Sequence, residues 1–139
     1  MINTNNGSLK LSEDFALSPQ TTYSQIRSAF SDNRIWEVGT GYVWVYFSDI
    51  QIEDMLFCFS LCFYKERLEM VDFWFRAKDE KVVSDWSEWT EEYELNQRKK
   101  LDQWLTQKIG NRRKFAWGNI GAYYNQKSAC SSIVMNFIK

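Results

Sequence analysis

The 139-residue sequence contains no histidine, which excludes His-based catalytic triads, His general bases and His metal ligands. It has one proline and six glycines, too few for a disordered or linker-rich chain. Its longest apolar runs, such as residues 55–63, reach only strand length and contain polar breaks, so no membrane span is expected. The formal net charge of −1 gives no overall attraction to nucleic acid or to an anionic membrane.

Cysteine is also scarce, with three residues that cannot all pair within one chain. Cys58 and Cys62 lie four residues apart in a predicted strand, which would separate their Cα atoms by about 13 Å. A disulfide needs less than about 7 Å, so these two cysteines cannot bridge each other. The N-terminus is polar and has no signal-peptide pattern. Together these features predict a reduced, cytoplasmic protein.

The length fits one domain over residues 1–139, with residues 1–8 polar and expected to be flexible. Thr22 and Gln25 have the spacing of a capping box and predict a short helix over about 21–31. Alternating apolar residues predict strands at 34–38, 42–52, 55–64 and 68–77, and a final hairpin at 115–124 and 131–138. Leu9 and Leu11 indicate a short strand before the first helix.

A long helix is predicted over about 85–109, where Asp85 can cap the start and Gly110 follows the end. An apolar stripe on this helix would face the core, and Leu95 points to the opposite side. The residues of the stripe are Trp86, Trp89, Tyr93, Leu101 and Trp104. The predicted order β-α-ββββ-α-ββ favours an α+β domain, with one antiparallel sheet meander and two helices packed mainly on one face.

The predicted meander has two different faces. One face is apolar, with side chains such as Val45, Phe59 and Phe73, and the long helix is its expected cover. The opposite face carries Trp44, Tyr46, Asp72, Trp74 and Arg76 among small polar residues. This composition is typical of protein–protein interfaces. The alternatives are that the first helix or the second subunit of a homodimer covers this face, or that curvature of the sheet exposes it without a binding role.

Three acids, Asp49, Glu53 and Asp54, cluster at an adjoining strand end and could oppose the basic active site of a nuclease. With the aromatic face, they complete the predicted partner-binding set. The residues of that set are Trp44, Tyr46, Asp49, Glu53, Asp54, Asp72, Trp74 and Arg76. Because interface anchors are often aromatic side chains bordered by charges, we expect a protein partner here.

No set of residues supplies an activated nucleophile, a tuned acid–base pair or a metal cage. The stretches 39–41 and 118–121 are rich in glycine but lack the residues that phosphate loops need. The sequence therefore predicts a protein that is not an enzyme and needs no cofactor or metal. A small-molecule binding module would need a deep pocket lined by Trp44 and Trp74. RNA binding ranks third, because Arg76 is the only cation predicted on the aromatic face.

Several short motifs resemble a family of small bacterial immunity proteins from polymorphic and contact-dependent-inhibition toxin systems. The similarity extends over about residues 55–138. It rests on Trp86-Ser87-Glu88-Trp89, Glu92-Tyr93-Glu94, Phe115-Ala116-Trp117-Gly118-Asn119-Ile120, Tyr124, Lys127-Ser128 and Ser131-Ser132-Ile133. Asn125 and Ala129 depart from the expected aspartate and glycine. The resemblance implies a cytosolic protein that binds a cognate toxin domain and blocks its active site or substrate entry, without a cofactor.

Overall fold

A computed structural model of the chain describes residues 2–12, 14–77, 91–125 and 130–137. Over these residues the chain forms ten strands and two helices. The helices are α1 (Tyr23–Ala29) and α2 (Glu91–Ile109). The strands are β1 (Ile2–Asn3), β2 (Ser8–Ser12), β3 (Phe15–Leu17), β4 (Arg34–Glu37), β5 (Tyr42–Ile52), β6 (Met55–Tyr64), β7 (Arg67–Ala77), β8 (Lys114–Phe115), β9 (Gly118–Asn125) and β10 (Cys130–Phe137).

The strands form two antiparallel sheets. The large sheet has the order β4-β5-β6-β7-β10-β9-β8, so the predicted meander is present and the final hairpin extends it beyond β7. The small sheet, β1-β2-β3, uses residues that the sequence indicated only as one short strand. The predicted strand at 115–124 is in fact two strands, because the chain turns at Ala116 and Trp117 before β9 begins. The predicted single sheet is corrected to these two sheets.

The N-terminal segment, which the sequence indicated as flexible, pairs with β2 and packs against Trp117 over its described residues. β1 pairs with β2 through Ile2 and Leu9. The indole Nε1 of Trp117 donates a hydrogen bond to the Thr4 carbonyl at 2.8 Å. Gly7 has a φ of +73°, and an added Cβ would lie 2.6 Å from the Trp117 ring. Glycine at this position therefore permits the left-handed backbone conformation and leaves room for the indole ring of Trp117.

Both helices lie on the same side of the large sheet. Phe30, directly after α1, contacts Phe47 with 5.0 Å between ring centroids, and Trp104 of α2 contacts Phe75 at the same distance. Phe47 pairs with Phe59, and Phe59 pairs with Phe73, so these rings share one face of the sheet. The α+β class and the packing of the helices on one face are thus confirmed.

The predicted helix signals agree with the structure where it describes them. The Thr22 side chain accepts a hydrogen bond from the Gln25 backbone, and Gln25 accepts one from the Thr22 backbone, which completes the capping box. α2 ends at Gly110, whose φ is +82° and whose N–H bonds to the Thr106 carbonyl. The predicted helix start at Asp85, with Trp86 and Trp89, lies outside the described residues. So do the side chain of Tyr93 and the hairpin turn at 126–129.

Apolar side chains fill the space between the helices and the large sheet. Leu105 on α2 and Val45, Phe63 and Phe73 on the sheet are fully buried. Leu95, at the other end of α2, is 38% exposed, as the sequence predicted. None of the helices in the described ranges is long and apolar enough to cross a membrane. Within those ranges, no group of three or more metal-binding side chains comes together.

Candidate partner-binding face

The side of the large sheet opposite the helices is called the open face here. Strand register assigns its side chains, because residues paired across antiparallel strands point the same way. One row runs Trp36, Trp44, Cys62, Met70, Asn136, Asn119 across six strands. The next row runs Arg34, Tyr46, Ser60, Asp72, Val134, Gly121. Trp74 pairs with Cys58, and Tyr123 pairs with Ser132.

Large aromatic side chains on the open face are accessible to solvent. Trp36 is 56% exposed, Tyr123 is 51% exposed and Trp74 is 38% exposed, while Trp44 and Tyr46 are half-buried. The predicted aromatic face is therefore not covered by α1 or α2. Exposed tryptophan and tyrosine at one side of a sheet are suited to serve as anchors in a protein interface.

Two of these residues, Trp36 and Tyr123, were missed by the sequence analysis. Trp36 could have been found, because Arg34 and Trp36 alternate along β4 and β4 precedes the meander directly. Tyr123 could not, because its place depends on β10 pairing with β7. Arg34 also lies on this face, with its Cζ atom 4.7 Å from the centroid of the Tyr46 ring. The sequence had indicated Arg76 as the only cation on this face, and that prediction is corrected by the position of Arg34.

Asp49 and Arg76, both predicted site residues, are brought together at the margin of the open face. A bulge between Phe47 and Ile50 interrupts the pairing of β5 with β6, and Asp49 within it has a φ of +55°. Aspartate tolerates this left-handed conformation better than most residues. The bulge places Asp49 Oδ1 3.4 Å from Arg76 Nη2, and the two side chains are 61% and 22% exposed.

Glu53 and Asp54 are not part of the open face. They form the turn between β5 and β6, where Glu53 has a φ of +56°. Glu53 Oε2 lies 3.7 Å from the Nζ atom of Lys108 on α2, which packs on the other side of the sheet. The three acids that the sequence placed together are thus divided, since Asp49 pairs across the open face and Glu53 pairs with the helix.

Asp72 occupies the centre of the open face. β7 is the fourth of seven strands, and Asp72 on it pairs with Ser60 on one side and Val134 on the other. Burial raises the pKa of the Asp72 carboxyl above its ordinary value, and a hydrogen bond with the Ser132 hydroxyl lowers it in part. The carboxylate thus has hydroxyl groups near it but is poorly hydrated.

A concave site is found elsewhere, between β3 and α1. It is an open groove of about 580 Å³, lined mostly by small and polar residues that include Ser18, Thr21 and Gln25. Its lining contains neither Trp44 nor Trp74, the residues that a small-molecule pocket was expected to use. The groove therefore does not correspond to the pocket that this alternative function requires.

Comparison with solved structures identifies a protein of the same fold. A chain of the structure described as Rhs1-CT in complex with cognate immunity protein RhsI1 matches with a TM-score of 0.59. The alignment covers 98% of this chain and 85% of that chain at 16% sequence identity. Neither the scan against protein-family models nor the search of curated proteins finds a match. The likeness establishes a shared fold, and it fits the resemblance to immunity proteins of polymorphic toxin systems that the sequence motifs carry.

Proposed function

We propose that this chain is an immunity protein that binds a cognate bacterial toxin domain and neutralises it. The observation that carries the proposal is the fold, which matches over 98% of the chain a chain from a toxin–immunity complex. The sequence motifs indicate the same family independently of that comparison. An immunity protein needs a stable binding surface and no chemistry of its own, which is consistent with a sequence that contains no histidine.

The open face is the proposed toxin-binding surface. Trp74, Trp36 and Tyr123 are exposed there, and interfaces commonly derive most of their binding energy from a few aromatic or arginine anchors. Arg34 and Arg76 supply charged groups near the aromatic side chains. A toxin domain seated on this face would bury its own active site or the path by which substrate enters.

We expect the toxin to be a nuclease rather than a toxin of another class. Nuclease active sites are basic, and this chain presents complementary acids near the open face. Asp49 and Asp54 are exposed at that end of the sheet. We expect these acids to raise the association rate, with a strong dependence on salt, and the aromatic anchors to slow dissociation. The protein would act in the cytoplasm, where such a toxin meets nucleic acid.

A protection assay tests the proposal. The toxin domain encoded beside this chain's own gene is expressed in a sensitive host, with and without the immunity chain, and growth and binding are measured. The wild-type chain is expected to restore growth and to inhibit the purified toxin at a one-to-one ratio. A lack of both effects, or turnover of the toxin by catalytic amounts of the chain, would contradict the proposal.

Two matched variants test the surface. Trp74 on the open face and Leu95 on α2 are both 38% exposed, but they lie on opposite sides of the sheet. Trp74→Ala should weaken binding by at least about 2 kcal/mol if it is an anchor, whereas Leu95→Ala should leave binding unchanged. The reverse result, with both folds intact, would place the toxin on the acidic first half of α2 around Glu94.

A further inference from the structure

Asp72 lies on the central strand of the open face. Its direct neighbours across the strands are small, with Ser60 on β6 and Val134 on β10. Ser132, also on β10, forms a hydrogen bond with its carboxyl group. Larger aromatic side chains stand further out. Tyr46 lies beyond Ser60 in the same row, and Trp74 lies two residues along β7.

Two of the other acids near this end of the sheet are compensated within the chain. Asp49 pairs with Arg76, and Glu53 pairs with Lys108. Among the described residues, by contrast, no Lys or Arg side chain comes within ion-pair distance of Asp72. The balance of charge at the centre of the open face is therefore incomplete in the isolated protein, whereas Asp49 at its margin is neutralised by Arg76.

We propose that Asp72 is the specificity-determining residue of the open face, and that it receives an Arg or Lys side chain of the toxin between the surrounding aromatic rings. This inference rests on the proposed function and adds the chemistry of the partner's central residue. A cation is the ligand that the site fits, because it would neutralise the carboxylate and stack on the exposed ring of Trp74.

The free-energy balance of the isolated chain supports this role. Since burial raises the pKa of Asp72, the carboxylate is less favourable in the folded chain than in water. An asparagine would fit the same space and retain a hydrogen bond to Ser132 without the buried charge. Retaining an aspartate therefore lowers the stability of the free protein, a pattern found where function and stability compete.

The complex should respond to pH through this group. A toxin cation favours the ionised carboxylate, so affinity should fall as the pH is lowered through the raised pKa of Asp72. Other ionisable groups also face this part of the sheet. They are Arg34 on β4, Tyr46 and Asp49 on β5, Cys58 and Cys62 on β6, Arg76 on β7 and Tyr123 on β9.

Titration calorimetry with the adjacently encoded toxin domain, inactivated by an active-site substitution, tests the inference. Asp72→Asn should weaken binding by about 30-fold or more, because it leaves a toxin cation desolvated without a counter-charge. Asp14→Asn, which removes an exposed carboxylate between β2 and β3 of the small sheet, outside the predicted partner-binding set, serves as the charge control and should change affinity by less than about threefold. As the pH is lowered from 7 through the raised pKa of Asp72, the affinity of Asp72→Asn should fall less than that of the wild type.

A double-mutant cycle identifies the toxin cation. Each exposed Arg or Lys of the toxin is changed to Met, and one of these variants should lose its effect when it is combined with Asp72→Asn. Equal affinity of Asp72→Asn and wild type, at a wild-type affinity that is measurable, would overturn the role of Asp72 and leave the toxin-binding proposal standing. No binding by the wild-type chain would instead refute the proposed function itself.

Discussion

Two leucines on the same helix allow a controlled test of how α2 is held on the sheet. Leu105 is fully buried and Leu95 is 38% exposed, although both lie on α2. The test changes each leucine to alanine in a separate variant. The change in helix propensity is the same at both positions, so the difference between them isolates burial. Leu105→Ala should lower the free energy of unfolding by about 2–5 kcal/mol, while Leu95→Ala should stay within about 0.5 kcal/mol.

Urea unfolding followed by circular dichroism measures both values, and a thermal melt checks them. A loss of 2–5 kcal/mol is smaller than the total stability of most domains, about 5–15 kcal/mol, so the Leu105 variant should still fold. Its Tm should fall by roughly 10 °C, on a scale of a few degrees per kcal/mol. Equal effects at the two positions would refute the packing of α2 on the sheet described above.

Three other changes follow from the structure. Gly118→Ala should destabilise the fold by about 3 kcal/mol in urea unfolding, because φ is +150° and the new Cβ would lie 1.9 Å from the Asn136 carbonyl oxygen. Gly39→Ala is the matched control, because φ is also positive, at +86°, but the space around it is open. This control should lower the free energy of unfolding by about 1 kcal/mol. Trp104→Ala should lower stability by about 2–3 kcal/mol in the same assay, below the value for a fully buried tryptophan because the ring is half-buried. Since burial raises the pKa of Asp72, the folded chain binds more protons than the unfolded chain between the two pKa values, and stability falls as the pH rises through that window. Asp72→Asn should therefore melt at a higher temperature than wild type at pH 7. This difference in Tm should shrink below about pH 4, where the carboxyl is protonated in the unfolded chain as well. A difference in Tm that stayed constant would show that burial of the ionised carboxylate is not its cause.

The meander could be predicted from the sequence because its information is local. Alternation of period two defined the strands at 42–52 and 55–64 with the bounds that the structure gives to β5 and β6. The same alternation separated the buried face from the open one. The end of α2 was equally local, since a glycine in the left-handed conformation is a common helix terminator.

The small N-terminal sheet could not be predicted, because its stability depends on contacts far away in the sequence. Trp117 donates to the carbonyl of Thr4, 113 residues earlier, and its ring packs against Gly7. A polar segment of eight residues carries no periodic signal that would reveal such a partner. The break between β8 and β9 has a similar origin, since the chain at Gly118 is fitted against Asn136 on β10.

The candidate site shows the same division between local and distant information. Residues of the open face on β5, β6 and β7 were assigned correctly to one side of the sheet, because alternation alone decides the side. The ion pairs were not predictable, because Arg76 meets Asp49 across β6 and Lys108 meets Glu53 from a helix on the other side. These pairs change the electrostatic interpretation of the site. Asp49 and Glu53 have counter-charges within the chain, whereas Asp72 at the centre of the open face has none among the described residues.

The contrast between the two faces of the large sheet connects fold to function. The face beneath the helices consists of apolar side chains with redundant contacts, as in the several aromatic rings around Trp104. Neither α1 nor α2 covers the exposed aromatic side chains of the open face, although polar residues at those positions would suit a sheet in contact with water. Exposed aromatic side chains and a desolvated carboxylate both disfavour the free protein, in solubility and in stability respectively. Docking of an apolar toxin surface with a cation at its centre would relieve both unfavourable features at once. The proposed toxin contact is assigned to the open face for this reason.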